Sequence, residues 1–192
     1  LKEFSSGNKK NAYKKLLEIF KNNKNDDQLR FNIAVIQQSL NLNKEAKINY
    51  QNLINKNENV KATYNLYTLN IKEENYIIAL NLLNKLIEKK IHLEKLINDK
   101  AFVLYKLKRN NESIKICKDL LLKNKKNIYI LHILALNYFS TGNKSKSKEI
   151  LEDALIIDGD NAHILNSLGR IYHEERIEKK AEEYLLKAYN IN

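Results

Sequence analysis

The chain has 192 residues, a formal net charge of +11, four glycines, one cysteine and no proline, methionine or tryptophan. The absence of proline and the scarcity of glycine favour a chain that is helical throughout. No apolar run approaches the ~20 residues of a membrane span, and the single cysteine, Cys117, excludes an internal disulfide.

The positive charge is weaker evidence for a nucleic-acid partner than its size suggests. Almost all of the 34 basic residues are lysine. Asparagine and isoleucine are also abundant, which is the composition that an AT-rich coding sequence produces by codon bias alone. Many acidic residues lie in the last quarter of the chain, so the basic excess belongs to the first three quarters. We therefore interpret the lysine clusters as solvated outer surface.

Small residues recur along the chain with a period of 33 or 34 residues, which is typical of a helical repeat array. They are Ala12, Ala46, Ala79, Ser113, Ser147 and Ala181. A second series lies twelve residues before four of these positions, with Tyr67 as an exception to it. Small residues at both places predict pairs of successive helices that cross closely. The second series is Ala34, Ala101, Ala135 and Gly169.

Apolar residues follow each member of the first series after four and after seven positions. This is the spacing of one helix face, so every second helix is predicted to bury one face. Within this pattern Cys117 is interpreted as a small buried apolar side chain. The two sets are Leu16, Tyr50, Leu83, Cys117, Leu151, Leu185 and Ile19, Leu53, Leu86, Leu120, Ala154, Ala188.

The predicted elements form a single array over residues 1–192. We expect eleven helical segments and no strand, with the first segment truncated before a turn at Gly7. Proline does not close any repeat, so the helix ends must rely on Asn, Asp and Gly. In chain order the repeats are a partial one in 1–25 and full ones in 26–59, 60–93, 94–127, 128–161 and 162–192.

Both ends of the sequence differ from the ends of a complete array. The first residue, Leu1, is not an initiator, and the last helix carries an apolar face at Tyr184, Leu185 and Ala188 with no helix after it. Repeat arrays need polar caps at their ends. We therefore expect a fragment of a longer protein, with self-association through the last helix as an alternative. Cytoplasm is the default location.

The repeat resembles the tetratricopeptide repeat, and this resemblance covers essentially the whole chain. It implies an all-α, right-handed superhelical solenoid of antiparallel helical hairpins. The family's turn glycine is present only at Gly7 and Gly142, so the other turns are expected at Asn41–Asn43 and Asn110–Asn111. The residues that fit the family skeleton are Leu165, Leu168, Gly169, Tyr172, Ala181 and Ala188, preceded by Leu131, Leu134, Ala135, Tyr138, Gly142 and Ala154.

The resemblance also implies that the first helix of each hairpin lines a concave groove. Twenty positions on these helices form the groove stripe, none is acidic, and many are aromatic. The alternative is that several of the rings only pack against the adjacent hairpin. The candidate peptide-binding residues are Phe31, Val35, Lys61, Tyr64, Lys95, Asn98, Phe102, Tyr105, Tyr129, His132, Phe139, His163, Asn166, Arg170 and His173. The stripe also contains Gln28, Gln38, Thr68, Ile71 and Leu136.

Three histidines of the stripe, His132, His163 and His173, raise the question of a metal site. Zinc sites use closely spaced ligands such as HExxH or CxxC, and the sequence has neither motif. We interpret these histidines as polar lining whose protonation near neutral pH adds positive charge to the groove. No phosphate-binding loop, nucleophile motif or cofactor motif is present, so catalysis is not expected.

The favoured function is a protein-interaction scaffold that binds a peptide segment carrying Asp or Glu beside apolar anchors. One alternative is the noncatalytic arm of a larger enzyme, such as a glycosyltransferase or a sulfotransferase. Another alternative is RNA binding through the aromatic and basic groove. RNA-stacking proteins are usually richer in arginine, which makes nucleic acid the weaker hypothesis.

Overall fold

The computed structural model describes residues 8–90 and 92–191, which contain eleven helices and no strand. The predicted all-α fold of consecutive helical hairpins is therefore confirmed. Gly7, with the truncated segment before it, lies outside the described residues. The repeat boundaries stay a prediction.

The described residues up to 90 form one compact unit, called unit 1, and those from 92 onward form a second, called unit 2. Within each unit, helices that follow one another in sequence pack together. Unit 1 contains α1 (Lys9–Asn22), α2 (Asp27–Ser39), α3 (Asn43–Asn57), α4 (Val60–Lys72) and α5 (Tyr76–Glu88). Unit 2 contains α6 (Leu93–Lys106), α7 (Asn110–Lys123), α8 (Ile128–Ser140), α9 (Lys144–Ile157), α10 (Ala162–Glu174) and α11 (Glu178–Ile191).

The small residues of both periodic series are buried where the helices of a hairpin cross. Ala34 and Ala46 are fully buried in unit 1, as are Ala101, Ser113 and Ala135 in unit 2. Since a small side chain lets two helix backbones approach, the period in the sequence is the period of these crossings. Tyr67, the exception in the series, is also buried and places its ring edge-on to Tyr64, with the ring centroids 5.8 Å apart.

Each hairpin turn contains one residue in the left-handed conformation, and four of the five are not glycine. The residue after it donates its backbone N–H to the carbonyl five residues earlier, at 2.8 to 2.9 Å. This bond is characteristic of the Schellman motif that ends many helices. The left-handed residues are Asn41, Glu74, Lys108, Gly142 and Arg176, with φ between 58° and 84°.

One predicted turn was therefore placed wrongly. Asn110 and Asn111 begin α7, and the turn before them runs through Lys108 and Arg109. The reason is that the backbone hydrogen bonds of the Schellman motif, rather than an asparagine side chain, define this turn. The other predicted turn, at Asn41–Asn43, is confirmed at Asn41 by its φ of 60°, whereas Asn43 begins α3.

Asp and Asn side chains cap the N-termini of four first helices. The carboxylate of Asp26 accepts from the backbone N–H of Leu29 at 2.9 Å. The same bond, from the backbone N–H three positions further along the chain to the side-chain oxygen of the cap, is made at Asn59, Asn127 and Asn161. These caps fix where α2, α4, α8 and α10 begin, and with them the rotation of each stripe residue about its helix.

No helix in the described part of the chain has both the length and the apolar character that a membrane span requires.

Candidate functional site

None of the twenty stripe residues is buried, although each of their helices buries residues on other faces. The stripe is therefore a surface in both units. Its unit 1 part lies on α2 and α4 and is called the unit 1 stripe. Its unit 2 part lies on α6, α8 and α10 and is called the unit 2 stripe.

In the unit 1 stripe, a buried tyrosine from the second helix of a hairpin supports two stripe residues. The ring of Tyr50 on α3 packs against Phe31, with the centroids 6.0 Å apart. Its hydroxyl donates to Oε1 of Gln38 at 3.0 Å and accepts from Nδ2 of Asn65 at 3.1 Å. Burial raises the pKa of Tyr50, so the hydroxyl keeps its proton for this bond. Phe31 is thus held by packing, while part of its ring stays at the surface.

The unit 2 stripe contains a carboxylate contact that the stripe pattern did not include. Asp99 lies one turn beyond Lys95 on α6, and its Oδ2 is 3.3 Å from the Lys95 Nζ. Residues spaced i and i+4 share a helix face, which is the sequence signal for this pair. Part of the positive charge expected at Lys95 is therefore offset by its own helix.

Aromatic residues of the unit 2 stripe pack on the core and also contact cations. Phe102 and Tyr105 lie against the buried cluster around Ala101 and Ile133. The guanidinium of Arg170 lies 5.6 Å from the centre of the Phe139 ring. These side chains therefore pack on the core but are not buried.

An amide of the unit 2 stripe has an unused acceptor. The Oδ1 atom of Asn98 is shielded from solvent and accepts no hydrogen bond from any described residue. A buried acceptor without a donor costs free energy.

The histidines do not behave as one group. The rings of His132 and His163 are stacked, with centroids 6.2 Å apart and planes 24° from parallel. His173 lies at the end of α10, and its Nδ1 is 3.2 Å from Oε2 of Glu178. Nε2 of His132 is 2.8 Å from the hydroxyl of Ser167. No group of three or more His, Cys, Asp or Glu in the described residues is arranged to hold a metal ion.

The prediction that protonation of the three histidines adds charge near neutral pH is wrong for His132. Burial lowers its pKa to about 4, and the neighbouring His163 contributes to the same shift. His132 is therefore neutral at neutral pH. Burial against Ser167, which lies 35 residues further along the chain, could not be read from the sequence.

The other stripe residues keep the exposure that the pattern predicted. Tyr129 is 45% exposed, and Val35 and Tyr64 are partly exposed. Leu136, Phe139 and Arg170 border one small cleft between α8 and α10. The exposed members of the candidate set are Lys61, Lys95, Tyr129, His163, Asn166, Arg170 and His173.

The cysteine, by contrast, belongs to the core. Cys117 is fully buried, and burial raises its thiol pKa to about 12. The thiol therefore stays protonated at neutral pH and is a poor nucleophile. This agrees with its interpretation as a small apolar side chain.

Comparison with known proteins agrees with this architecture. The family model for the tetratricopeptide repeat matches residues 128–161 and 162–192. A search among curated proteins gives no significant match.

Solved structures with the same fold are numerous, although their sequences are distant. MamA from Desulfovibrio magneticus RS-1 is 16% identical, with 87% of this chain and 95% of that chain covered and a TM-score of 0.70. YrrB, described as a tetratricopeptide repeat protein with an unusual peptide-binding site, is 18% identical, with 92% of each chain covered and a TM-score of 0.62. PilF from Pseudomonas aeruginosa is 15% identical, with 100% and 87% covered and a TM-score of 0.66. Residues 128–192 thus match the tetratricopeptide repeat family by sequence, and the chain shares its fold with these solved structures.

Proposed function

We propose that the chain is a noncatalytic interaction scaffold that binds a peptide segment of another protein on its stripe residues. The observation that carries the proposal is that all twenty stripe positions stay at the surface, although the same helices bury residues on their other faces. Large side chains kept at the surface on successive hairpins of a unit are typical of a binding site. The peptide-binding description of YrrB supports the same kind of ligand.

The chemistry of the stripe favours a ligand with apolar anchors. Phe31 and Tyr64 in unit 1, and Phe102 and Phe139 in unit 2, are partly exposed rings that packing holds in place. An anchored ring loses little conformational entropy when a ligand covers it, which is why such rings dominate binding energy. Apolar side chains of the ligand are therefore expected to supply most of the affinity.

The charges of the stripe favour acidic residues beside those anchors. Lys61 and Arg170 are exposed, and none of the stripe residues is acidic. Lys95 contributes less because Asp99 contacts it. These cations are solvated, so they select among ligands and speed association more than they tighten binding.

The proposal is tested with two sets of short synthetic peptides, in which Phe, Leu or Ile alternates with either Asp and Glu or Lys, followed by fluorescence anisotropy. We expect the acidic set to bind and the basic set to fail. Tyr64→Ala and Phe102→Ala should each weaken binding about tenfold or more, whereas Lys21→Ala on α1 should not change it. Affinity should fall only modestly as salt rises.

RNA is the competing ligand in this test. A single-stranded RNA oligonucleotide whose phosphates are neutralised by several lysines would lose affinity steeply with salt. Tight RNA binding with a steep salt slope, together with indifference to Tyr64→Ala and Phe102→Ala, would overturn the peptide proposal.

A further inference from the structure

Two helices of unit 2 carry opposite charges at equivalent positions of their exposed faces. The helices are α7 and α9, the second helices of consecutive hairpins, and equivalent residues are 34 positions apart. All eight side chains concerned belong to residues at the surface. The pairs on the helices are Glu112 and Lys146, Lys115 and Glu149, and Lys118 and Glu152, and a fourth pair, Lys126 and Asp160, lies in the turns that follow the two helices.

The same two faces each expose one large aliphatic side chain at an equivalent position. Leu122 on α7 is 78% exposed, and Ile156 on α9 is 85% exposed. Leu122 lies four residues after Lys118, and Ile156 lies four residues after Glu152, so each lies on the same helix face as a member of a charged pair. Nothing in the described part of the chain covers either side chain.

The two faces lie side by side on unit 2. Ile116 and Leu120 of α7 and Ile150 of α9 pack against one buried cluster that includes Cys117 and Ile133. Because α8 runs between them in the opposite direction, α7 and α9 run parallel to each other. Unit 2 thus presents a surface whose α7 half is mainly basic and whose α9 half is mainly acidic.

We propose that this surface is an interface between two copies of the chain. A two-fold axis that runs parallel to the two helices, midway between them, places α7 of each copy on α9 of the other. The helices then meet in the same direction, so equivalent residues come face to face, as an isologous interface requires. Each of the four opposite-charge pairs forms twice, and Leu122 of each copy meets Ile156 of the other.

The charges favour a second copy over an unrelated partner. A solely acidic ligand would be repelled by the α9 half, and a solely basic one by the α7 half. One equivalent pair, Asp119 and Asp153, has like charges and opposes the contact. Among the eight charged side chains, Glu112 pairs with Arg109, Glu152 accepts a hydrogen bond from Tyr172, and Lys146 lies over the Tyr138 ring. The other five form no ion pair with any described residue and remain available to another chain; they are Lys115, Lys118, Lys126, Glu149 and Asp160.

The size of the surface sets the expected strength. Two helices of 14 residues, each about 21 Å long and about 10 Å in diameter, offer roughly 400 Å² per copy. This is about half the area that a stable standard-size interface buries on each partner. The dimer should therefore be weak, with a dissociation constant in the micromolar range, and salt should weaken it further.

The test uses analytical ultracentrifugation of the full chain at low salt over a wide range of concentration. We expect a reversible monomer–dimer equilibrium. Lys115→Glu and Glu149→Lys should each raise the dissociation constant at least about tenfold, because each change creates two like-charge contacts. Lys21→Glu on α1 is the matched control, and Tyr189→Ser tests the exposed face of α11. Neither should alter the equilibrium.

A mixture of the two single variants, Lys115→Glu and Glu149→Lys, is the decisive experiment. In a mixed dimer, one 115–149 contact pairs the two introduced side chains, a glutamate with a lysine, and the other pairs the unchanged Lys115 with the unchanged Glu149. Both contacts join opposite charges, so the mixed dimer should form although neither variant dimerises with itself. The double variant Lys115→Glu with Glu149→Lys should also recover self-association.

Circular dichroism of each variant excludes unfolding as the cause of any lost association. A chain that stays monomeric at every concentration would overturn the proposal. A dimer that Lys115→Glu leaves intact, or a mixture of the two single variants that fails to associate, would overturn it as well.

Discussion

The hydroxyl of Ser147 donates a hydrogen bond of 2.8 Å to the backbone carbonyl of Ala135, the small residue twelve positions before it. Ser113 makes the same bond to Ala101 at 2.7 Å. Both serines are buried at helix crossings where other hairpins have alanine. At these positions the serine hydroxyl links the second helix of a hairpin to the first by a hydrogen bond and adds little volume.

Ser113→Ala is expected to destabilise the protein more than Ser147→Ala. The Ser113 hydroxyl also accepts from Nδ2 of Asn137 at 2.8 Å, and Asn137 is fully buried with its Oδ1 lacking a partner among the described residues. Without the Ser113 hydroxyl, the buried Asn137 amide loses a hydrogen bond that offsets the free-energy cost of its burial. We expect a loss of about 1 to 3 kcal/mol for Ser113→Ala and about 1 kcal/mol or less for Ser147→Ala in urea unfolding.

Asn137→Leu provides the matching test of that explanation. Equivalent positions in other hairpins hold the buried Leu69, Val103 and Ile171. Removing the amide should be neutral or stabilising, and Ser113→Ala should then cost less in the Leu background than in the native chain. Equal costs in both backgrounds would show that Asn137 does not depend on Ser113.

Lys108→Gly is expected to stabilise the protein by about 0.5 to 1 kcal/mol. Lys108 has a φ of 59°, a conformation in which a Cβ atom costs free energy and glycine does not. The reverse change, Gly142→Ala, should destabilise by a similar amount. A Cβ at Gly142 meets no atom within 4 Å, so the cost there comes from the backbone alone.

Gly159→Ala is the control for both turn variants. Gly159 has no left-handed φ, and a Cβ there would only approach the Leu155 carbonyl at 3.7 Å. Thermal melts should show no loss of stability for Gly159→Ala. A loss equal to that of Gly142→Ala would contradict the conformational explanation.

These turns also show where sequence reasoning succeeds and where it fails. The helix crossings could be predicted because each depends on a small residue type. The side chains of Ala34 and Ala101 are small enough for two helices to approach each other. The turn at Lys108 could not be predicted, since a lysine does not favour the left-handed conformation and the Schellman bonds join backbone atoms. The exposure of Arg170 followed from helical spacing, but the neutral His132 depends on packing that joins distant parts of the sequence.

Gly169→Ala is expected to cost about 1 to 2 kcal/mol, because a Cβ at this position would lie 2.7 Å from Cγ of Leu185 on α11. The side chain of Leu185 must move to admit it, which is a case of overpacking at a close crossing. The equivalent Ala135 in the preceding hairpin already carries a Cβ atom. Leu185→Ala should remove most of the cost in a double-mutant cycle of urea unfolding. A full cost in that background would assign the effect to the carbonyl of Ala181, 3.3 Å away.

The protein should lose stability through His132 as the pH falls from about 6.5 to about 4. The folded state holds the His132 pKa at about 4, below its ordinary value of 6.5. Between these two pH values, His132 binds a proton in the unfolded chain but not in the folded chain. The free energy of unfolding therefore rises with pH in this window. The contribution of His132 to stability is complete above pH 6.5. A shift of this size corresponds to roughly 3 kcal/mol.

The measurement is the free energy of unfolding against pH for the native chain and for His132→Gln. The difference between the two curves should change across this window and be flat above it. His173→Gln is the control, because its side chain is 68% exposed and its contact with Glu178 is screened by water. The same neutrality means that lowering the pH from about 8 to about 6 adds no charge at His132, so this residue should not strengthen the binding of acidic peptides. A pH dependence that His132→Gln leaves unchanged would show that His132 is not held neutral in the folded protein.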